Sequence, residues 1–592
     1  MSDHLNSVVS MIIKKVLSLF KSVIGEILIL FVFLFISYQY IGIPETTINA
    51  DGIGYYDYLP STFIHHDLVR YNEPYSLNKD SYQRILPTGV YVPFSDFHVN
   101  KYPCGTAVLQ LPFFLYTRFT TKIDHTSGDG YQRPFQNAVW VASIFYLFIS
   151  LIFLKKVLVL YEIKPLIVLF CQLTLALATP LTIYANADAG FSHVYSLFAI
   201  TTFVFFSKSY FIHFKRRDLI GASLFLGLIF ILRQPNLLIV LFVPFLAGSW
   251  DNLKMGISVL LRKKKDLLFA VAAFLLIASI QFSLWYLQTG HFIINSYQAE
   301  SFDFSDPHLI DILFSYRKGL FVYTPILFLG ILGLVGLVIK KDYFLVFSWF
   351  FFFFVLTYVL SSWWSWYFGS SFGLRAYIDY FVIFFIPIAL LLASIQPIAK
   401  VFVLLISLLT IPVNCIQSFQ YNHYILHFHQ MDKEKYWKVF LKTDDIYKGL
   451  IWKDKINQED YNVIYTRELG TLIVQRLTAT KWSFIKSTEI PNFERVTSLK
   501  VSINNRYEEQ NRTRVVIGIN RAIDDSIYYW QDRALLHFHE KKFNQWQTGY
   551  YNFEFNPMTN QEAKIITFET IGSQAQDTLK NVRLEFLQKK TD

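Results

Sequence analysis

Residues 219–249 read LIGASLFLGLIFILRQPNLLIVLFVPFLAGS, between Lys215-Arg216-Arg217 and Arg262-Lys263-Lys264-Lys265. Lys and Arg concentrate on the cytoplasmic side of membrane proteins. A stretch with basic clusters at both ends therefore crosses an even number of times. A full crossing needs about 20 apolar residues, so about thirty are short for two. Arg233-Gln234-Pro235-Asn236 interrupts the run near its middle. The reading is a pair of half-length helices that dips in and returns. Broken backbone at membrane depth requires protein or a water-filled cavity around it, and Arg233 requires a partner or an aqueous cavity there. This places Arg233 on the cytoplasmic to mid-membrane side, in a structural or gating role.

The rest of the topology follows outward from this hairpin. A first apolar run, Ile27–Ile43, is preceded by Lys14, Lys15 and Lys21, which puts the N-terminus inside. It starts late and no small-residue cleavage site follows, so it is not read as a cleaved signal peptide. Further runs at 135–154, 165–181, 191–207, 267–288, 320–339, 343–361, 377–395 and 401–417 alternate out and in. Clusters such as Lys155-Lys156, Lys340-Lys341 and Lys400 all fall inside on this count. The expectation is a mainly α polytopic membrane protein with about nine full spans plus the hairpin, 11–13 helices in all. The odd count puts the C-terminal tail outside.

The charge distribution fits that division. Of 592 residues 53% are hydrophobic and 17% charged, whereas a soluble globular chain carries about 25% charge. Residues 421–592 hold 47 of the 98 charged residues, about 27% of that segment, while residues 1–420 hold only about 12%. A single soluble enzyme, a disordered chain and a disulfide-stapled domain are excluded. Cys104, Cys171 and Cys415 are too few and too scattered for a disulfide framework or a zinc site. The net charge of +10 does not point to nucleic acid, because the tail holds 25 basic against 22 acidic residues. Residues 1–420 are expected as a membrane domain with a first outer loop at 44–134. Residues 421–494 are expected as a linker or mixed subdomain, helical around 431–442. From 495 the period becomes two, as in Arg514-Val-Val-Ile-Gly-Ile and Val582-Arg-Leu-Glu-Phe, which predicts an extracytoplasmic β-sandwich-like domain at 495–592.

Four polar, aromatic loops fall on the outer face. The first, Asn49-Ala-Asp51-Gly-Ile-Gly-Tyr55-Tyr56-Asp57, follows the first span. A carboxylate there can act as general base toward a hydroxyl, and its glycines allow close backbone approach. Asp51 and Asp57 are both candidates, with helix capping as the bland alternative. The second, Asn186-Ala-Asp188-Ala-Gly-Phe-Ser192-His193, offers Asp188 and His193 to a polar substrate, or Asp188 as a cap. The third contains Arg317-Lys318, at the depth of a lipid phosphate; ordinary snorkelling is equally compatible. The fourth, Trp363-Trp364-Ser-Trp366-Tyr-Phe-Gly369-Ser-Ser371-Phe372-Gly373-Leu-Arg375, exceeds an aromatic belt, because Arg375 beside a span needs a partner or an anion. His65-His66 and His423, His427, His429 have some metal-like spacing but lack acidic partners. No Walker, nucleophile-elbow or HExxH motif occurs.

This arrangement resembles the GT-C superfamily of integral membrane glycosyltransferases, over about residues 20–415. The closest branch is the protein O-mannosyltransferase and aminoarabinose transferase-like one. The resemblance rests on Asp51-Gly-Ile-Gly-Tyr-Tyr after the first span, Lys101-Tyr-Pro-Cys-Gly-Thr-Ala late in the first loop and Phe191-Ser-His193. It also rests on Leu232-Arg-Gln-Pro-Asn-Leu, Ser315-Tyr-Arg-Lys-Gly and Trp366 through Arg375. The chain has Asp-Gly where protein O-mannosyltransferases carry a paired Asp-Glu. The resemblance implies sugar transfer from a polyprenyl-phosphate donor at the outer face, usually with inversion, and maps the catalytic carboxylate to Asp51. The expected partners are that donor, a glycan, lipid or protein acceptor, and the bilayer, with no nucleic acid. No cofactor is assigned, and a divalent metal is left open. Tyr55, Trp363 and Trp364 would stack on sugars, and Arg317, Lys318 or Arg375 would meet the leaving phosphate. The expected location is a bacterial inner membrane, N-terminus cytoplasmic and C-terminal domain periplasmic. The alternatives are a transporter or flippase of lipid-linked glycans, which would carry its polar residues at the midplane, and a membrane scaffold whose tail binds surface glycans.

Overall fold

Contacts divide the chain into two units, Met1–Asn422 with Phe428–Lys433, and His423–His427 with Glu434–Asp592. The computed structural model describes residues 23–42, 46–66, 68, 90–94, 97–121, 130–297, 300–444, 447–448, 451, 461–475, 479–506, 513–521, 527–534, 546–554, 563–572 and 577–590. Lys14, Lys15 and Lys21, used to orient the first span, lie outside the described residues.

In the first unit each apolar run forms a helix. Among the described residues, six helices are long and apolar enough to cross a membrane: Val23–Ile41, Arg133–Val159, His193–His213, Lys264–Thr289, Tyr343–Ser361 and Pro397–Asn422. The runs at 165–181, 320–339 and 377–395 give the shorter helices Pro165–Leu177, Pro325–Ile339 and Val382–Ser394. The first two open on proline, which cannot donate within a helix but fits its first turn. The third is preceded by a 3-10 segment, Arg375–Tyr380, so its apolar run is longer than its α-helix.

The hairpin differs from its expected form. Its first arm, Arg216–Leu232, is a 17-residue helix rather than a half-length one. At 1.5 Å per residue that is about 25 Å, close to the hydrocarbon thickness. Nothing before Arg233 breaks it, and its glycines serve packing. A Cβ on Gly227 would lie 2.8 Å from the Phe274 carbonyl, so glycine lets this helix close on Lys264–Thr289. At Arg233 the backbone becomes extended (φ −159°), and Gln234–Phe242 returns as a 3-10 helix continued by Val243–Ala247. Arg233 therefore sits at the end of the arm furthest from Lys215–Arg217, a full helix length away from them rather than half of one. The chain then bends by 117° into Trp250–Arg262. This helix is capped by Ser249, exposes Trp250, Met255, Ile257 and Leu261, and carries Lys254 and Arg262, the composition of a helix lying along an interface.

The first loop forms two short helices, Asp51–Tyr56 and Tyr58–Phe63, and an antiparallel ribbon of Tyr91–Phe94 with Phe97–Asn100. Gln136 of the second span fixes the loop's start by accepting from the Thr47 and Ile48 N–H groups at 2.9 and 2.8 Å.

The second unit contains two four-stranded antiparallel sheets. One runs Tyr461–Val474, Asp577–Lys589, Ser498–Arg506, Trp546–Glu554; the other Ala479–Lys486, Ala563–Ile571, Arg514–Arg521, Ile527–Ala534. Alternate residues such as Leu499, Val501 and Ile503 are buried, the pattern a sandwich requires. Two strands fall inside 421–494, so the sheets begin well before 495. Tyr461–Val474 escapes the period-two reading because it is largely exposed and mixed in polarity. The helix expected around 431–442 is Lys433–Val439.

Candidate active site

Asp51 opens its helix from Ala50, which is held at φ 43°. Few non-glycine residues adopt that conformation, so the turn presenting Asp51 is strained. The turn is braced from behind. Gly190 N–H donates to the Thr47 carbonyl at 3.1 Å, and a Cβ on Gly52 would press on the Gly190 backbone at 3.1 Å. A Cβ on Gly54 would fall 2.1 Å from the Tyr102 ring. These glycines therefore seat the first loop against residues 186–190 and against Tyr102.

Tyr102 and Arg375 meet at Asp51. The Tyr102 hydroxyl donates to Asp51 Oδ1 at 3.0 Å, and Arg375 Nη1 lies 2.7 Å from Oδ2. Burial alone would raise the Asp51 carboxyl, but Arg375, Lys101 and the Tyr102 hydroxyl outweigh it and hold the group below the ordinary carboxylate value. Asp51 is thus a carboxylate throughout the physiological range. It keeps 29% of its side chain open and Arg375 12%, so the pair is accessible. The Arg375 guanidinium also lies 5.0 Å over Phe191. Asp188 is near enough to feel Arg375, Asp51 and Lys318; burial dominates and pushes its carboxyl up to about 6.

Aromatic rings continue from this pair. Tyr55 packs on Tyr102 at 4.7 Å, Tyr102 on Tyr297 at 6.2 Å, Tyr297 on Trp363 at 5.8 Å and Trp363 on Phe302 at 4.8 Å. Lys101 pairs with Glu300 at 2.9 Å, tying the first loop to residues 296–300. Two of the expected stacking residues, Tyr55 and Trp363, belong to this wall. Trp364 does not: it is 56% exposed, and its N–H donates to the Ser301 carbonyl.

Other expected residues are placed differently. Asp57 is 1% exposed and accepts from Tyr131, Tyr91 and Ser61 at 2.5, 2.8 and 2.8 Å, so it fastens the loop. Lys318 is buried and donates to the carbonyls of Ser371 and Phe428, thereby holding the Gly-Ser-Ser-Phe-Gly loop that carries Arg375. Burial, with Arg375 and Arg317 nearby, drives its ammonium well below the ordinary lysine value. Arg317 donates to the His429 carbonyl at 3.0 Å and lies 3.4 Å over the Tyr367 ring. His193 Nδ1 is 2.8 Å from Asp379 Oδ1.

That last contact reveals residues the sequence reading missed. Asp379 is fully buried, and its Oδ2 accepts from Asn236 at 2.7 Å and Arg233 at 3.2 Å. The sequence does carry a signal for it. Asp379 is the acid within the apolar run 377–395, and Arg233 is the cation within 219–249; lone intramembrane charges of opposite sign are expected to pair.

Among the described residues, no group of three or more His, Cys, Asp or Glu side chains could hold a metal ion.

No family model and no curated protein matches the chain. Among solved structures it is similar to the Archaeoglobus fulgidus oligosaccharyltransferase complexed with Zn and sulfate, at 12% identity over 70% of this chain and 57% of that one, TM-score 0.38. It is similar to the archaeal oligosaccharyltransferase AglB from Archaeoglobus fulgidus, in complex with an inhibitory peptide and a dolichol-phosphate, at 11% over 72% and 60%, TM-score 0.39. It is also similar to arabinosyltransferase EmbB from Mycobacterium smegmatis, at 8% over 95% and 64%, TM-score 0.33. The chain spans 57% to 64% of the length of these structures. Likenesses at this level carry no weight for function, which rests on the side chains.

Proposed function

We propose that the chain is a membrane glycosyltransferase that moves a sugar from a polyprenyl-phosphate donor to an acceptor hydroxyl at the outer face, with inversion. The observation that carries this reading is the accessible Asp51–Arg375 pair at 2.7 Å, with Asp57 and Asp188 of the neighbouring loops buried. A phosphate-linked donor needs a cation where negative charge grows, and an acceptor hydroxyl needs a proton acceptor. Here both groups stand together at the end of an aromatic wall that suits sugar faces.

In the transfer, the acceptor oxygen attacks the anomeric carbon as the bond to the phosphate oxygen breaks. The electron pair leaves with the phosphate, where Arg375 meets the charge. The acceptor proton passes to Asp51 Oδ2, while Tyr102 holds Oδ1 and so fixes the carboxylate plane. Arg375 serves both partners. A bound phosphate draws its guanidinium from Asp51, and a carboxylate with less of its cation is the stronger base. The depressed basicity of Asp51 is thus a property of the empty site. Tyr55 and Trp363 line the sugar side, and Lys318 holds the loop that delivers Arg375.

Mass spectrometry of surface glycans and glycoproteins from a deletion strain tests the reading. Loss of one sugar or glycan, with its polyprenyl-phosphate donor accumulating, supports it. An unchanged surface contradicts it. Accumulation of a whole lipid-linked glycan on the cytoplasmic side would favour the transporter.

A further inference from the structure

We infer that Arg233 is a second anion-binding residue of this site, that Asp379 positions it, and that the apolar groove beginning at the next residue seats the donor's hydrocarbon chain. The inference rests on the donor class proposed above and assigns its phosphate and its tail to residues that reading leaves unused.

Three observations carry it. The first is where the hairpin ends. The full-length arm Arg216–Leu232 delivers Arg233 beside Asp379 and His193, with 17% of its side chain still open. The Arg233 guanidinium interacts electrostatically with Tyr55, Tyr297 and Arg375, and Tyr55 and Tyr297 both pack on Tyr102, whose hydroxyl donates to Asp51. Two guanidiniums there are each held by a carboxylate, Arg375 by Asp51 and Arg233 by Asp379. An anion entering between them satisfies both and displaces neither protein partner completely.

The second is the geometry around Asp379. One 3-10 segment, Arg375–Tyr380, carries both Arg375 and Asp379. Asp379 also fixes Asn236 at 2.7 Å, and Asn236 Oδ1 accepts from the Tyr380 hydroxyl at 3.0 Å. The same segment therefore presents one arginine directly and aims the other across the hairpin break.

The third is the groove. Gln234, Pro235, Leu238 and Leu241 from the 3-10 return arm face Val359 and Phe302 across an open cleft of about 410 Å³. Its first lining residue, Gln234, follows Arg233 in the chain, and its other wall, Phe302, packs on Trp363 of the ring series that begins at Tyr102. A cation one residue before an apolar cleft matches an amphiphile with an anionic head and a hydrocarbon chain. A water-soluble sugar nucleotide would leave the cleft unfilled.

The test is direct binding of long-chain polyprenyl phosphate to the purified full chain in detergent. Neutral polyprenol and a two-isoprene phosphate serve as the other arms. Arg233→Ala is expected to weaken polyprenyl phosphate by about tenfold or more, since charge-assisted hydrogen bonds to anions are of that order, and to leave polyprenol unchanged. Arg233→Lys is expected to recover part of the loss. Asp379→Asn is expected to lower phosphate affinity without changing polyprenol affinity, which a merely misfolded chain would not do. Leu241→Trp, which fills the cleft, is expected to weaken the long chain and spare the short one. Wild-type chain that binds no polyprenyl phosphate removes the donor class itself. Wild-type binding that survives Arg233→Ala and Leu241→Trp unchanged keeps the donor class and overturns this placement.

Discussion

Asp51 and Asp57 lie six residues apart in one loop, and the fold treats them oppositely. Asp51 keeps 29% of its side chain open, paired with one arginine and one tyrosine hydroxyl. Asp57 is 1% exposed, beneath the hydroxyls of Tyr91, Tyr131 and Ser61. The difference comes from their neighbours. Asp51 is on the first turn of its helix, facing the Gly-Ser-Ser-Phe-Gly-Leu-Arg375 loop. Asp57 joins two short helices and faces the ribbon residue Tyr91 and the start of the second span. A buried carboxylate that gathers the hydroxyls around it fixes structure. One sharing an accessible cation is available to substrates.

The two sites can be separated by mutation. Asp51→Asn is expected to lower sugar transfer by roughly 10²–10⁴-fold, the usual scale of general-base removal, while leaving folding and insertion intact. Equal loss in a well-folded Asp57→Asn protein would erase the distinction. Arg375→Ala is expected to weaken donor binding by more than about tenfold; unchanged affinity would make the pair structural. Asp57→Asn is expected to destabilise the membrane unit by about 3 kcal/mol, because it removes a charged acceptor of three hydroxyl bonds. Thermal unfolding in detergent reads this directly.

Asp188 gives the smallest effect and a pH signature. Burial raises its carboxyl to about 6 in the folded chain, against about 3.9 when unfolded. The folded state holds this proton more tightly. Its stabilising contribution is therefore complete below pH 4 and is lost as pH rises toward 6. Asp188→Asn is expected to stabilise the protein by about 3 kcal/mol at pH 7.5 and by only about 1 kcal/mol at pH 4.5. Equal gains at both values would contradict the assignment.

Much of this was legible in the residues. Apolar length and basic clusters located every helix run, because bilayer thickness and charge asymmetry act on local sequence. The break at Arg233-Gln234-Pro235-Asn236 was legible too. The length of the hairpin's first arm was not, because a run of about thirty residues, too short for two full crossings, suggests two equal halves, whereas the return arm is largely a 3-10 helix, which rises further per residue. Asp51 and Arg375 were each singled out, but their contact spans more than 300 positions and has no local signature. The roles of Lys318 and Asp57 depend on carbonyls and hydroxyls brought in by folding, to which residue spacing is blind. The strand Tyr461–Val474 lacked alternation because only part of it is buried.

The most direct measurement follows cleavage of polyprenyl-phosphate sugars by the purified chain, with and without an acceptor mixture, for wild type and Asp51→Asn. The expected result is acceptor-dependent release of polyprenyl phosphate by wild type and binding without release by Asp51→Asn. Full turnover by Asp51→Asn would contradict the assignment of Asp51 as the base.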